Sequence, residues 1–349
     1  MASNTPLPAS PPILIVDAHL DLAYNVVRGR DPRQPAANQP YVDNEYATVG
    51  LPDLRAGNVR LVCATIFCSP ASYKSLGYRT ADEARAQALQ QLQTYQNWIH
   101  EGELRFITRS TGFEPVLHVP ANALNTQPTN AVLLLEGADA LRSPADVPDW
   151  FDAGLRIVGL AWKRTRAAGG TGEPGGLTDE GRALVKEFDR LGIIHDTSHL
   201  AEQAFWDLLN LTPKPVIASH SNCRAIVPTD RQLSDEMIKA IAARGGVIGI
   251  NFYDKFLIPP AAAGKRRATL GDVVAHIRHI CDLTGSHDHV AIGTDMDGGL
   301  GREQIPQEIT SSADLPQLAA ALTTAGFDAA AVRKIMGENW MRFFQQNLA

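Results

Sequence analysis

Continuous apolar runs, separated by turn residues, recur along the chain and predict β-strands that are buried on both faces, as in a parallel sheet. Eight strands are predicted, over residues 13–16, 59–67, 131–135, 155–161, 192–196, 215–219, 246–251 and 289–294. Helical periodicity falls between them. Thr80-Ala81-Asp82-Glu83 forms a capping box ahead of an amphipathic stretch that reaches about residue 100. Further helices are predicted over residues 179–191, after the cap Ser234 up to Gly245, and over residues 269–283.

Strands that alternate with helices over this length predict an α/β fold, a (β/α)8 TIM barrel. We expect residues 13–349 to form one barrel domain and residues 1–12, rich in Pro, Ser and Ala, to be a disordered N-terminal segment. An open, doubly wound sheet has the same local pattern and is the alternative. Residues 28–50 and 164–176 are rich in Gly and Pro, and we expect them to be irregular lids over one end of the barrel.

Several predicted strands end at side chains that bind metal ions. These side chains are His19, Asp21, Glu136, His199 and His220, with Asp295 at the end of the last strand. The carboxyl ends of all strands meet on one face of a barrel, whereas the first and last strands of an open sheet lie far apart. The placement therefore favours the barrel. Imidazoles and carboxylates on one rim predict a metal site, and a metal site suits a hydrolase.

Structural interpretations compete with the metal site. His19 and Asp21 alone are equally typical of a buried hydrogen-bonded pair, but Glu136 after four aliphatic residues needs a cation or a proton. His276 and His279 are predicted to lie on an exposed helix face and His195 inside a strand. The motif Gly170-Thr171-Gly172-Glu173-Pro174-Gly175 is not at a tight strand–helix turn, so dinucleotide binding is not expected.

Composition excludes some classes of function. The chain has 349 residues, of which 44% are hydrophobic and 20% charged, and its net charge of −6 argues against nucleic acid or an anionic membrane as the partner. Cys63, Cys68, Cys223 and Cys281 have no regular spacing and are predicted to be reduced and mostly buried. Neither a signal peptide nor a membrane span is recognisable, so the expected compartment is the cytoplasm.

With these residues in hand, the sequence resembles the membrane (renal-type) dipeptidase family, peptidase family M19, from Val16 to about Phe343. The matching stretches are Asp17-Ala18-His19-Leu20-Asp21, Glu136-Gly137, Gly176-Leu177-Thr178, Asp196-Thr197-Ser198-His199, Ser219-His220-Ser221, Gly245-Gly246-Val247-Ile248-Gly249-Ile250-Asn251-Phe252-Tyr253, Gly293-Thr294-Asp295-Met296-Asp297-Gly298 and Gly337-Glu338-Asn339. The family consists of binuclear zinc peptidases with a TIM-barrel fold.

The resemblance implies two Zn²⁺ ions per chain. His19 and Asp21 would hold one ion, His199 and His220 the other, and Glu136 would bridge them. Asp295 would carry protons as the catalytic acid and base. Arg231 would bind the carboxylate of a dipeptide, and Tyr253 would line the same pocket. The resemblance also raises a homodimer as the assembly.

The implied reaction is dipeptide hydrolysis, including dipeptides with a D-residue on the C-terminal side. A water acidified between the ions would attack the amide carbonyl, and Asp295 would pass its proton to the leaving amine. Trp162 stands where the family strand ends in a substrate-contacting histidine, so Trp162 is expected to reshape the substrate pocket. The alternatives are hydrolysis of another carboxylate-bearing amide or lactone, or a metal-binding relative without catalysis.

Overall fold

The computed structural model describes residues 13–72, 77–117, 126–262 and 264–348, and the predicted disordered segment 1–12 lies outside these ranges. The strands are β1 Ile15–Leu20, β2 Val59–Phe67, β3 Leu104–Phe106, β4 Thr129–Glu136, β5 Leu155–Gly159, β6 Ala168–Gly170, β7 Glu173–Leu177, β8 Ile194–Asp196, β9 Val216–Ile217, β10 Ile248–Ile250 and β11 Val290–Ile292. The α-helices are α1 Leu22–Val27, α2 Leu51–Ala56, α3 Ala81–His100, α4 Glu114–Leu117, α5 Val147–Asp152, α6 Asp179–Leu191, α7 Glu202–Leu211, α8 Asp235–Ala243, α9 Asp254–Leu257, α10 Leu270–Thr284, α11 Pro316–Thr324, α12 Ala329–Arg333 and α13 Asn339–Asn347.

Eight parallel strands form a barrel in the order β10-β11-β1-β2-β4-β5-β8-β9. A parallel bridge between Ala218 and Ile248 brings β9 and β10 together at the remaining seam. Strand β1 pairs with β2 on one side and with β11 on the other. The first and last strands are therefore neighbours, which confirms the predicted TIM barrel and excludes the open sheet.

The interior of the barrel changes character along its axis. Its amino-terminal end is filled by aliphatic side chains of the strands and closed by the aromatic face of α13, where Trp340, Phe343 and Phe344 are buried. Towards the carboxyl end the buried side chains become polar, beginning with Asp17, His19 and Asp196. This apolar packing closes the amino-terminal end of the barrel to water. The polar half opens toward the strand ends, where the loops lie.

The four predicted helices, α3, α6, α8 and α10, lie within about two residues of their predicted bounds. Thr80 and Glu83 form the predicted capping box of α3, and Thr178 caps α6. Gly192 ends α6 in the left-handed region with φ of 77°, a conformation that glycine adopts without steric cost. Within the described residues, no helix is long and apolar enough to cross a membrane.

Two predictions about outer segments were wrong. Residues 164–176, predicted to be irregular, contain the antiparallel hairpin β6–β7, because their glycines allow two backbones to approach closely. His276, predicted to be exposed, is buried in α10, where its ring contacts the Cys223 amide and the Leu257 carbonyl. His195 is buried in β8 as predicted, and all four cysteines are buried free thiols.

Candidate metal centre

Glu136 lies at the centre of the polar end of the barrel, between two groups of histidines. Its Oε2 is 3.8 Å from Nε2 of His19, and Oδ2 of Asp21 is also 3.8 Å from that nitrogen. Its Oε1 is 3.2 Å from Nε2 of His199 and 3.3 Å from Nε2 of His220. The five predicted ligands therefore meet around one carboxylate. They form two sets of three potential ligands, with Glu136 common to both.

Backbone geometry aims these side chains. His19 and Glu136 belong to β1 and β4, and Asp21 directly follows β1. His199 has a φ of 67° and Asp295 a φ of 60°, both in the left-handed region. This conformation costs of order 1–3 kcal/mol for a residue other than glycine, and it concentrates at functional sites. The strain is consistent with loops shaped to point these two side chains into the barrel mouth.

The imidazoles are neutral in this environment. Burial lowers the pKa of His19 to about 3, with a further contribution from Arg231. Burial also holds the pKa values of His199 and His220 well below 6.5. The Nδ1 atoms of these two rings contact the hydroxyls of Thr171 and Ser219 respectively, at 2.9 and 2.7 Å.

Burial shifts the pKa values of the carboxylates in the opposite direction, upward. Burial and the neighbouring Asp21 raise the pKa of Glu136 well above its ordinary value, and burial raises that of Asp21 to about 7. Among the described residues, Glu136 Oε1, Asp21 Oδ1 and His19 Nε2 are buried atoms without a hydrogen-bond partner. Nε2 of His199 lies 3.1 Å from Nε2 of His220. Lone pairs and negative charge converge, and bound divalent cations would neutralise this arrangement.

Polar residues behind the ligands complete the centre, and sequence reasoning assigned them no role. Ser219 Oγ donates to Oδ2 of Asp196 at 2.5 Å, and the Ser219 amide donates to Oδ1 at 2.8 Å. Burial raises the pKa of Asp196, while these hydrogen bonds oppose the rise. The polar strand end Asp196-Thr197-Ser198 was the signal for this layer. Metal-binding histidines commonly have such partners on their second ring nitrogen.

Asp295 lies beside the ligands without joining either set. Its Oδ1 is 4.0 Å from Nε2 of His19, and its Oδ2 accepts a hydrogen bond of 2.9 Å from Nδ2 of the Asn251 side chain. Burial, followed by the charge of Asp21, raises the pKa of Asp295 well above its ordinary value. Gly298 makes this position possible, because a Cβ there would collide with Asp295 Oδ1. Asp295 can therefore hold a proton within the mouth of the barrel.

Arg231 is a buried cation with an unusual set of partners. Its guanidinium donates to Ser221 Oγ at 2.9 Å and to the His220 carbonyl at 2.6 Å. Nε has no hydrogen-bond partner, and no carboxylate of the described residues forms an ion pair with this side chain. Burial lowers its pKa, although arginine stays protonated in proteins. The side chain lines the cavity and can receive an anionic group.

The cavity over the centre has a volume of about 250 Å³. Its walls are formed by Asp21, Phe67, Glu136, Trp162, Lys163, Thr171, His199, His220, Arg231, Tyr253, Phe256, Asp295, Gly298, Gly299 and Leu300. Trp162 packs edge-on against Phe67, with 5.2 Å between ring centroids, and lies 6.2 Å from the ring of His199. Sequence reasoning missed Phe67 at the end of β2, Phe256 in α9 and Leu300 in the loop after β11, because an apolar side chain carries no signal that separates a cavity wall from the core.

The two expected lids differ in their relation to the cavity. Thr171, at the tip of the β6–β7 hairpin, lines it. No residue of segment 28–50 does. The amides of Thr48 and Val49 instead donate to the buried carboxylate of Asp297 at 2.9 Å, and Asn25 connects the Asp297 and Asp21 carbonyls. This segment therefore supports the loop that carries Asp295.

Comparison with known proteins identifies the family and confirms the fold. A family model described as membrane dipeptidase (peptidase family M19) matches residues 10–349. The crystal structure of the dipeptidase AC, an M19 metallopeptidase, superposes with a TM-score of 0.79 at 27% identity, covering 97% of this chain and 99% of that one. A Rhodobacter sphaeroides metallopeptidase, liganded with a phosphinate mimic of L-Ala-D-Ala, gives a TM-score of 0.78 at 26% identity over 97% of this chain and 100% of that one.

Similarity extends to curated sequences. An uncharacterized Klebsiella pneumoniae protein from the pqqA 5′ region is 34% identical over 220 residues, which is 60% of this chain and 78% of that protein. The family match spans nearly the whole chain, and the barrel carries a centre of histidines and carboxylates that suits a metallopeptidase. The chain is thus an enzyme that belongs to the membrane dipeptidase family, peptidase family M19.

Proposed function

We propose that this enzyme is a zinc-dependent dipeptidase that cleaves small peptides with a free C-terminal carboxylate. One observation carries the proposal: Glu136, with unpartnered lone pairs around it, lies in the same cavity as Arg231, a buried cation that lacks a carboxylate partner. The first feature calls for cations and the second for an anion. A dipeptide bound to a dinuclear metal centre supplies both.

Two Zn²⁺ ions fit the donor set, since imidazole nitrogens and carboxylate oxygens are ligands that zinc prefers. His19, Asp21 and Glu136 Oε2 would hold one ion, and Glu136 Oε1, His199 and His220 the other. When bound, such ions polarise a peptide carbonyl and acidify water at neutral pH.

Asp295 is assigned the transfer of a proton to the leaving amine. It is close to the ligands yet outside both sets, and Asn251 orients its carboxylate by a hydrogen bond to Oδ2. Burial favours its protonated form. As a carboxylate, Asp295 would accept the proton of the attacking water, and burial raises its affinity for that proton. The carboxylic acid formed in this step would then donate the same proton to the leaving amine.

Arg231 is assigned the recognition of the substrate carboxylate, and Tyr253 lines the same cavity. A guanidinium presents parallel N–H groups to a carboxylate, so charge and geometry both favour the pairing. In this arrangement Arg231 fixes one end of the dipeptide while the metal ligands surround the scissile amide. Because the carboxylate and the scissile amide are held at two fixed positions, the arrangement limits the length of the peptide that can be cleaved.

Trp162 is assigned a wall of the substrate pocket with Phe67. The phosphinate mimic of L-Ala-D-Ala in the Rhodobacter sphaeroides relative supports including L,D-dipeptides among the substrates. The large Trp162 indole favours a second candidate function, hydrolysis of another carboxylate-bearing amide or a lactone in the same site. Both functions use the same metal centre and differ only in what the cavity admits.

A substrate panel with the zinc-loaded enzyme tests these functions. It contains L,L- and L,D-dipeptides, N-acyl amino acids and lactones, and the metal content of the same preparation is measured by elemental analysis. We expect about two zinc ions per chain and turnover of dipeptides. Turnover confined to lactones or N-acyl amino acids would support the second candidate. Absence of divalent metal, or absence of turnover across the panel, would contradict the proposed chemistry.

A further inference from the structure

The hydroxyl of Ser219 contacts one histidine on each side of Glu136. Ser219 Oγ is 2.7 Å from Nδ1 of His220 and 3.3 Å from Nδ1 of His19. The two rings pack against each other, with centroids 3.7 Å apart. Their other nitrogens, the Nε2 atoms, face opposite oxygens of Glu136. A single side chain thus lies behind both halves of the metal centre.

The direction of these hydrogen bonds follows from counting protons. A serine hydroxyl has one proton to donate and two lone pairs that accept. The proton goes to Asp196 Oδ2, whose distance of 2.5 Å is typical of a hydroxyl donating to a carboxylate. The next acceptor, Ser198 Oγ, is 3.4 Å away and forms a weaker contact. With the Asp196 carboxylate ionised, Ser219 has no proton left for either ring, so both imidazoles donate to Ser219 and each carries its proton on Nδ1.

We propose that Ser219 is a positioning residue that sets the tautomer of His19 and His220 together, and so couples the two metal positions through one hydroxyl. The proposal rests on the dinuclear centre proposed above. With the proton on Nδ1, each Nε2 presents a lone pair to the ion beside Glu136. Loss of the hydroxyl removes the hydrogen-bond acceptor of Nδ1 from both rings at once. This coupling runs behind the ligands and is separate from the carboxylate bridge.

The surroundings hold Ser219 at the required point. Its amide donates to Oδ1 of Asp196. Its carbonyl occupies the space in which a Cβ of Gly249 or Gly293 would lie. The backbone of Ser219 is thereby fixed between β10 and the end of β11, and the hydrogen bond to Asp196 Oδ2 holds its hydroxyl beside the two rings.

His199 provides an internal contrast. Its Nδ1 contacts Thr171 Oγ1 at 2.9 Å, in the β6–β7 hairpin, and makes no contact with Ser219. Thr171 therefore supports one ligand of one ion, whereas Ser219 supports a ligand of each. Thr171→Val has nearly the same volume as the native side chain and removes only the hydroxyl. It is the matched control for Ser219→Ala.

The first experiment needs no substitution in the protein under test. The full chain is labelled with ¹⁵N-histidine and stripped of metal, and the imidazole nitrogens are recorded by long-range ¹H–¹⁵N NMR, with His19→Gln and His220→Gln spectra for assignment. We expect both rings to be neutral and protonated on Nδ1. A proton on Nε2 of either ring, or a mixture of tautomers, would overturn the proposal.

The second experiment measures zinc affinity by competition with a chromogenic chelator. Removal of such a hydrogen-bond partner weakens metal binding by about 10–100-fold. We expect Ser219→Ala to weaken both ion positions and Thr171→Val only one. Weakening of one position or none by Ser219→Ala would refute the coupling. If the native enzyme binds no zinc, the proposed function fails, but the NMR spectrum of the metal-free protein still tests the tautomers. The same spectrum tests the tautomers if Ser219→Ala does not fold.

Discussion

Replacement of Arg231 by methionine removes the only element of the site that we assign to the substrate carboxylate. The guanidinium is buried, donates to Ser221 Oγ and the His220 carbonyl, and has no carboxylate partner among the described residues. Methionine fills similar space without charge. We expect Arg231→Met to lose affinity for dipeptides in the ground state and in the transition state alike.

The magnitude follows from the burial of the pair. Truncating one partner of a buried, hydrogen-bonded charge pair costs about 2–5 kcal/mol. At 1.4 kcal/mol per tenfold change, kcat/KM should fall by about 30- to 4,000-fold. The variant loses the hydrogen bonds to Ser221 Oγ and the His220 carbonyl but no longer buries a cation that lacks an ion-pair partner among the described residues, so these two effects on stability oppose each other.

The assay compares two substrates on two enzymes. kcat/KM is measured for a dipeptide and for its C-terminal amide, with native enzyme and with Arg231→Met, and the thermal midpoint serves as the folding control. Native enzyme should strongly prefer the acid. Arg231→Met should treat acid and amide nearly alike, since the interaction that distinguishes them is gone. Arg231→Lys, which keeps the charge but not the paired donors, should fall between the two.

Unchanged discrimination in Arg231→Met would refute the reasoning. In that outcome another group reads the carboxylate, and the cavity offers Lys163 as the next cation. Equal loss of activity on acid and amide, with a lowered thermal midpoint, would instead show a structural role for Arg231 beneath His220.

Three further predictions follow from other parts of the structure. Asp295→Asn should lower kcat by about 10²–10⁴-fold in metal-loaded enzyme, the usual contribution of a general acid or base, with zinc content unchanged; undiminished kcat would exclude the proton-transfer role. Trp162→Ala should widen the cavity and raise kcat/KM for dipeptides with bulky side chains relative to Ala-Ala, and an unaltered preference across a peptide series would show that Trp162 does not shape the pocket. Burial lowers the pKa of His276 from 6.5 to about 4, so between these values the unfolded chain binds a proton that the folded protein does not. The free energy of unfolding therefore does not depend on His276 above pH 6.5. It falls by about 1.4 kcal/mol per pH unit from pH 6.5 down to about pH 4. His276→Gln should flatten the dependence of the free energy of unfolding on pH in this window, and a native ¹H–¹⁵N titration with a pKa near 6.5 would contradict it.

The fold was predictable because its strands are short, apolar and regularly spaced. The bounds of β2 and α6 agree with the predicted ones, but β1 runs to Leu20 rather than ending at residue 16. A polar residue normally marks the end of a buried strand. Here Asp17 continues the strand, because the amide and hydroxyl of Thr294 satisfy its carboxylate inside the barrel. Such compensation depends on a residue far away in sequence.

The candidate ligands were visible in the sequence, whereas the polar residues that contact their rings were not. Histidine and carboxylate at strand ends stand out against an apolar background. Ser219 and Thr171 are ordinary polar residues, and their function depends on which ring nitrogen they contact. The exposed face predicted for His276 failed for a related reason: α10 packs this side against the loop at Cys223, and helical spacing alone does not reveal which neighbours surround a helix.

The close approach of the Ser219 carbonyl to Gly249 and Gly293 affects how variants of this enzyme are read. An added Cβ at either glycine would meet backbone atoms of Ser219 and of the other glycine, so a single methyl group there would displace the residue next to His220. A mutational scan scored by activity would rank these glycines with the ligands themselves. Loss of activity on substitution of these two glycines would reflect the lack of space between the strands. Metal content measured alongside activity would distinguish such a steric effect from the loss of a catalytic group.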